Sequence, residues 1–207
     1  MYSVQLLSGL KSYIDSIVED DTLKTSENST LVDTYIRMGL DQLCYYANPQ
    51  FKKTQSISTI SFTTKVGSLP SDYFYHDRSI PQVCVISSQE LPLVFVEKKS
   101  LFVNASATFE PMYTLIGSSI YVSHDLTLDF EYHKRPTMID DSTEKNDFEE
   151  FLYASLAYYV IGSLQNKEQA SDEEKARSFQ NYLRFYKEIG ASDPKKLAEG
   201  KIAVSAA

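Results

Sequence analysis

Apolar residues recur at helical spacing in two stretches at the start of the chain. The first runs from Ser3 to about Asp21, and the second begins after Ser29 or Thr30, either of which can supply an N-cap oxygen, and ends at Asn48-Pro49. Each stretch alternates an apolar stripe with a polar face, which is typical of an amphipathic helix. Because the connection is short, residues 1–50 are predicted to form an antiparallel helix pair.

After Pro49 the hydrophobic period changes to two, which predicts β-strands. The clearest strand runs from Leu126 to Tyr132, with alternate residues apolar, so one face is expected to be buried and the other wet. Gly117-Ser118-Ser119 predicts a hairpin turn because glycine accepts a positive φ. Residues 54–136 are predicted to form a small antiparallel β-sandwich or partly open barrel of five to seven short strands.

Helical spacing returns beyond Pro136. The third predicted helix, Phe148 to Leu164, is aromatic enough to suggest burial on more than one side. The fourth begins at a capping box, Ser171 with Glu174, and ends at Gly190. Residues 191–207 contain few apolar side chains, so this C-terminal extension is predicted to be flexible in the free protein.

The order of these elements predicts an α+β fold. Residues 1–50 and 140–190 would form a four-helix base, and the β domain over 54–136 would be an insertion whose two ends lie close together. Residues 191–207 would form the flexible C-terminal extension.

The charge of the chain disfavours one class of function. The 207 residues include 20 Lys and Arg and 28 Asp and Glu, a formal net charge of −8. Sequence-specific DNA binding is disfavoured because it requires a basic surface. The first residues have no basic leader region, and no apolar run approaches the ~18 residues that cross a bilayer, so neither export by a signal nor a membrane span is expected.

Residues with catalytic or metal-binding chemistry are sparse. His76, His124 and His133 have no histidine or cysteine partner at ligand spacing, and Cys44 and Cys84 have no CxxC partner. The cysteines are interpreted as small buried apolar side chains. Phosphate-binding loops, nucleophile elbows and zinc-protease motifs are absent from the sequence. No cofactor, metal or catalytic residue is therefore predicted.

An acidic segment precedes the third helix. Residues 140–150 contain six carboxylates and one lysine; the acids are Asp140, Asp141, Glu144, Asp147, Glu149 and Glu150. Carboxylates in the first turns of a helix interact favourably with its dipole, and others form a solvated face. A hydrolase pair would need an opposing acid roughly 5 to 9 Å away. A third interpretation is an acidic surface that repels nucleic acid in a channel.

Leu69-Pro70-Ser71-Asp72 and the stretch from Leu126 to Pro136 are two short motifs that resemble those of the head-to-tail connectors, or tail adaptors, of short-tailed bacteriophages. Leu69-Pro70-Ser71-Asp72 is similar to the "LPxD" entry into the β domain of that family, and Leu126 to Tyr132 followed by His133-Lys134-Arg135-Pro136 resembles its returning strand. Pro70 would fix a bend, Leu69 would anchor in the core, and Asp72 would hydrogen-bond the following turn. The stretch from Phe151 to Tyr159 matches the small-and-aromatic helix expected next.

The resemblance implies a structural virion protein and not an enzyme. It would dock under the portal ring at the head–tail junction, after assembly in the host cytoplasm, and attach the tail or nozzle protein. Copies would form a ring, a dodecamer on the portal, and DNA would pass through without sequence-specific binding. The C-terminal extension would fold against the portal, through Lys195, Lys196, Leu197, Lys201, Ile202 and Val204.

Two other functions remain open from the residues alone. A virion-associated, peptidoglycan-degrading hydrolase would use the acidic residues near 140–150. A monomeric ligand-binding β domain is the third hypothesis.

Overall fold

The structure is a computed structural model that describes residues 3–18, 20–76, 84–86, 91–97, 111–166 and 170–205. The chain divides into a helical unit, Met1–Thr54 with Pro136–Ala207, and a β unit, Gln55–Arg135. The predicted α+β class is confirmed, since helices and two sheets are both present.

Within its described ranges the helical unit has five α-helices rather than the four predicted. They are α1 (Leu7–Ile17), α2 (Ser29–Tyr46), α3 (Glu150–Gln165), α4 (Asp172–Glu188) and α5 (Pro194–Ser205). Two 3₁₀ turns, Asp21–Leu23 and Pro49–Phe51, follow α1 and α2.

Helix α3 is the core of the helical unit. Of its 16 residues, 12 are buried, and α1, α2 and α4 pack against it. A helix that is apolar all round must be covered on all sides, so the predicted burial on more than one side is confirmed. Helix α2 approaches closely at Gly39, where a Cβ atom would lie 2.8 Å from Cδ2 of Leu156.

The predicted boundaries of α4 are confirmed. Ser171 Oγ accepts from the N–H of Glu174, and the N–H of Ser171 donates to Oε2 of Glu174, completing the capping box. Gly190, at φ +70°, follows the end of the helix. At the start of α2 the N-cap is Asn28, without a side-chain capping bond, and not Ser29 or Thr30.

The prediction of a flexible C-terminal extension is wrong for residues 194–205, which form α5. Helix α5 packs against α4, Ala198 is fully buried, and Nδ2 of Asn166 donates to the carbonyl of Lys201 at 3.1 Å. The segment has few apolar residues of its own, but α4 supplies the surface it covers. Pro194 at the first helical position favours helix initiation.

In its described ranges the β unit has nine short strands in two sheets. The strands are β1 (Gln55–Ser61), β2 (Val66–Ser68), β3 (Tyr73–Tyr75), β4 (Cys84–Ile86), β5 (Leu91–Pro92), β6 (Val94–Phe95), β7 (Met112–Ile116), β8 (Ser119–Val122) and β9 (Thr127–Lys134). One sheet has the order β1-β9-β4-β5, with β3 also paired to β9, and the other has the order β2-β8-β7-β6.

The sequence predicted a purely antiparallel β unit, and this prediction is wrong for one pair of strands. Strands β6 and β7 pair in parallel, with Val94 opposite Met112, while the other described pairs are antiparallel. Parallel pairing needs a long crossover connection, and the chain between Phe95 and Met112 is long enough for one. Short two-residue strands give no periodic signal from which their direction could be predicted.

Strands β1 and β9, the first and last of the unit, are neighbours, and Gln55 lies opposite His133. The ends of the inserted unit therefore lie close together, as the insertion requires. On β9, Leu128, Phe130 and Tyr132 are buried, which confirms the predicted inward face. Both sheets contribute to one hydrophobic cluster, which also contains Phe62, Leu93, Tyr113, Ile120 and Val122.

The predicted hairpin is confirmed between β7 and β8. Its turn contains Gly117, at φ +61°, a value that a residue with a side chain rarely adopts. In the described part of the chain, no helix is both long enough and apolar enough to span a membrane.

Candidate functional sites

The three histidines occupy separate positions in the β unit. His76 is buried, with Nδ1 3.0 Å from Oη of Tyr73 and Nε2 3.1 Å from Oη of Tyr113. His124 hydrogen-bonds Oγ of Ser123, and His133 stacks on Tyr75 with 4.6 Å between ring centroids. Among the described residues, no three His, Cys, Asp or Glu side chains converge as a metal site would require.

Cys44 lies in the core of the helical unit, as predicted. Burial is the main cause that raises the pKa of its thiol to about 11, so the reactive thiolate is disfavoured at neutral pH. Its Sγ atom lies 3.9 Å from Oγ1 of Thr54. Cys84 is in β4, and its side chain lies outside the described part of the structure.

The acidic segment contacts the first turn of α1, a contact that the sequence did not predict. Oδ1 of Asp141 accepts from the backbone N–H of Ser8 at 2.7 Å, and the carbonyl of Asp140 accepts from the N–H of Leu7 at 3.2 Å. These two donors are in the first turn of α1, whose own N-cap residue, Leu6, makes no side-chain capping bond. Residues 140 and 141 therefore cap α1 from more than 130 positions away.

A second set of bonds joins the same two segments. Nε2 of Gln5 donates to the carbonyl of Lys145 at 2.7 Å, and the N–H of Lys145 donates to the carbonyl of Gln5 at 3.4 Å. The Lys145 side chain is buried against the segment and its Nζ lies 3.0 Å from Oδ2 of Asp140. The cluster of Gln5, Asp140, Asp141 and Lys145, with the first turn of α1, is called the N-terminal clasp below.

The electrostatics of the clasp follow from these bonds. Hydrogen bonds from Ser142 and from Lys145 hold the pKa of Asp140 well below its usual range. Hydrogen bonds from Ser8 likewise lower the pKa of Asp141. Both carboxyl groups are therefore ionised acceptors at neutral pH, whereas a general acid in a hydrolase needs a raised pKa.

Two other acids of the segment also have structural partners. Asp147 is buried, and its Oδ2 accepts from the N–H of Thr137 at 2.7 Å, while its own N–H donates to Oη of Tyr153 at 3.0 Å. Glu149 forms a 2.9 Å ion pair with Lys53. Glu150 is in the first turn of α3, where a negative charge favours the helix dipole, in agreement with the dipole interpretation for this one residue.

The two motifs that carry the family resemblance meet in the β unit. Oη of Tyr132 donates to Oδ1 of Asp72 at 2.8 Å, and the N–H of Arg135 donates to the carbonyl of Asp72 at 2.7 Å. Strand β3 continues the contact, with Tyr73 opposite Lys134 on β9. Asp72, Tyr132 and Arg135 are called the motif junction below.

The individual roles expected for the LPxD motif are partly corrected. Leu69 packs against the hydrophobic cluster of the β unit, as predicted. The carbonyl of Pro70 accepts from the N–H of Tyr73 at 3.0 Å and closes a turn. The Asp72 side chain, however, bonds the returning strand through Tyr132 and not the following turn. The local sequence cannot reveal a partner 60 positions away.

Helix α5 fixes the positions of the residues predicted to contact a portal. Lys195 and Lys196 are exposed, whereas Leu197, Lys201 and Ile202 are partly buried; the side chain of Val204 is outside the described part. Lys196, Leu197 and Lys201 line a cavity of about 470 Å³ together with residues of α2 and α4. The sequence did not predict this cavity, because its walls come from three helices that are separated along the chain.

Compared with known proteins, the chain matches no family model and no curated protein.

Proposed function

We propose that the chain is a structural protein of a short-tailed phage virion, which docks under the portal ring, extends the DNA channel and attaches the tail. The observation that carries this proposal is the motif junction. The two sequence motifs that resemble the connector family are 60 positions apart, yet Asp72 bonds both Tyr132 and Arg135.

The position of the junction supports the proposal. The LPxD motif follows β2, and the returning motif begins on β9. Direct bonds between two motifs 60 positions apart agree with the resemblance. The returning motif ends the β unit, whereas β1 and β2 precede the LPxD motif, which therefore lies inside the unit and not at its entry.

The portal contact takes a different form from the one expected from sequence. Helix α5 is already folded on α4, so binding would not have to order these residues and would avoid that entropic cost. Lys195 and Lys196 would face the portal as charged residues at the rim of the interface, where they raise the association rate. Leu197 and Ile202 are partly buried and would therefore offer less of their surface to the portal.

The charge of the chain agrees with a channel protein. The net charge is −8, and a negative surface repels the phosphate backbone. DNA would therefore pass through a ring of copies without sticking. No described observation favours a hydrolase, since the carboxylate of Asp141 accepts from the N–H of Ser8 and that of Asp140 accepts from Lys145.

Assembly with the portal protein encoded in the same genome tests the proposal. We expect a ring-on-ring particle by negative-stain electron microscopy after the two proteins are mixed. The double substitution Lys195→Glu with Lys196→Glu should weaken binding, measured by sedimentation. Lys175→Glu with Lys187→Glu on α4 is the matched control and should bind normally.

Two results would contradict the proposal. The absence of any complex between the chain and the portal would refute the adaptor function. Normal binding by the Lys195 and Lys196 double variant would refute the role given to α5 and leave another surface as the portal contact.

A further inference from the structure

The cavity beside α5 has the dimensions of a ligand site. Its volume of about 470 Å³ is within the ~300–1,000 Å³ typical of small-molecule pockets. Its walls come from α2, α4 and α5; the residues that matter here are Gln42, Tyr46, Tyr186, Lys196, Leu197 and Lys201.

Lys201 is the unusual residue of this cavity. Its side chain is partly buried, and burial lowers the pKa of its ammonium group. No carboxylate in the described part of the chain lies within ion-pair distance of it, whereas Lys11 and Lys145 both have such partners. The contact that its Nζ does make is with the ring of Tyr159, whose centroid is 5.5 Å away. A partly desolvated cation of this kind favours an anion beside it.

The charge around the cavity also favours an anion. Lys196 contributes a second ammonium group, and among the described lining residues Asp193 is the one carboxylate. The cavity is thus locally positive in a chain whose net charge is −8. Two ammonium groups against one carboxylate at the cavity wall attract an anionic ligand.

The walls favour an aromatic or apolar group next to that anion. The rings of Tyr46 and Tyr186 pack edge to face with 6.0 Å between centroids, and Leu197 adds an aliphatic surface. Oη of Tyr186 donates to Oε1 of Gln42 at 2.7 Å, which fixes both side chains at the wall. Such a mixed lining is typical of sites that hold an apolar ligand by a few polar contacts.

We propose that this cavity binds a carboxylate carried on an aromatic or apolar group, with Lys201 as the main ion-pair partner. The carboxylate would belong either to a free small acid or to the C-terminus of a peptide. The site does not rest on the adaptor function, because it is argued from the cavity alone.

Isothermal titration calorimetry with matched probes tests this proposal. The probes are 3-phenylpropionate and the peptide acetyl-Ala-Ala-Phe with a free C-terminus, each compared with its uncharged amide. We expect saturable binding of at least one carboxylate and at least ~10-fold weaker binding of its amide, the size of a lost charged hydrogen bond. The probe that binds more tightly identifies the source of the carboxylate.

Two variants separate a loss of ligand binding from a loss of folding. Lys201→Met should weaken binding at least ~10-fold by the same reasoning. Gly200→Leu adds a side chain at the cavity wall, where a Cβ atom would meet no other atom within 4 Å. Its Tm should not fall, while binding is lost. Lys195→Met, on the exposed side of α5, is the matched control and should bind like the unmodified chain.

The proposal is overturned if neither carboxylate binds at millimolar concentration. It is also overturned if the Gly200→Leu and Lys201→Met variants bind as tightly as the unmodified chain. Neither result depends on whether the chain assembles with a portal, so this failure is distinguishable from failure of the adaptor function.

Discussion

In each unit, an early segment is bonded to a segment far along the chain, but the two units use different kinds of contact. In the β unit, the backbones of β1 and β9 pair over seven residues in continuous register. In the helical unit, the segment of residues 140–145 caps the first turn of α1 through a few side-chain and backbone bonds. Backbone pairing is insensitive to pH, whereas a cap made by an ionised carboxylate is not.

The outer faces of the two units also satisfy their polar groups differently. Side chains on β1 and β9 pair across the strands: Oγ1 of Thr59 donates to Oδ1 of Asp129 at 2.6 Å, and the hydroxyls of Ser61 and Thr127 lie 3.1 Å apart. Such cross-strand pairs follow from the register of the sheet. The clasp, in contrast, joins a non-helical segment to the first turn of a helix more than 130 positions away.

The largest expected effect is in the core of the β unit. Phe130 is fully buried and stacks on Tyr132 and Tyr73, with ring centroids 5.8 and 5.9 Å apart. Phe130→Ala should lower the free energy of unfolding by about 3–5 kcal/mol, measured by urea denaturation. Ile57→Ala on β1 is the control, because that side chain is 66% exposed. Equal losses in the two variants would refute the assigned core.

A similar but smaller loss is expected at the centre of the helical unit. Leu156 of α3 is fully buried against Gly39 of α2. Leu156→Ala should lower the free energy of unfolding by about 2–5 kcal/mol, measured by the circular dichroism signal of the helices in urea. Met38→Ala, on the exposed side of α2, should change it little. A negligible loss for Leu156→Ala would mean that α3 is not the core helix.

The capping box of α4 should have an intermediate effect. Ser171→Ala removes the side-chain acceptor for the N–H of Glu174 and should cost about 1 kcal/mol of stability. Ser171→Asp keeps an acceptor at the N-cap and should preserve stability. Thermal unfolding measures both variants, and equal losses would show that the cap contributes nothing.

The smallest expected effect is the pH-dependent contribution of Asp141 to the stability of the helical unit. Asp141→Asn weakens the acceptor for the Ser8 N–H and should reduce the urea midpoint of the helical unit at neutral pH. Because the folded-state pKa of Asp141 is lowered, its contribution is present above its ordinary pKa of about 3.9 and is lost as the pH falls through the folded-state value. The difference from the unmodified chain should therefore shrink below about pH 4.

Glu144→Gln, in the same acidic segment, is the control for this titration, since Glu144 is exposed. Its midpoint should follow that of the unmodified chain at every pH. The urea midpoints of the Asp141→Asn variant and the unmodified chain could instead differ by the same amount at acidic and neutral pH. That result would show that the Asp141 cap does not cause the pH dependence.

Sequence patterns predicted the elements whose signal is local. The buried face of Leu128 to Tyr132, the capping box at Ser171 and the turn at Gly117 were all predictable, because each depends on neighbouring residues alone. The patterns failed at α5, whose few apolar side chains are stabilised by the surface of α4. They also failed for Asp141, whose capping partner is Ser8.

The amino-acid sequence by itself determined the α+β class, most of the helices and strands, and the net charge. Hydrophobic periodicity, capping residues and turn glycines act over a few positions, so they can be recognised without the fold. Tertiary structure alone decided that Asp72 joins two distant motifs, that the acidic segment caps α1, and that Lys201 lines a cavity. Each depends on segments far apart in the chain, and packing of the hydrophobic cores is what brings such segments together.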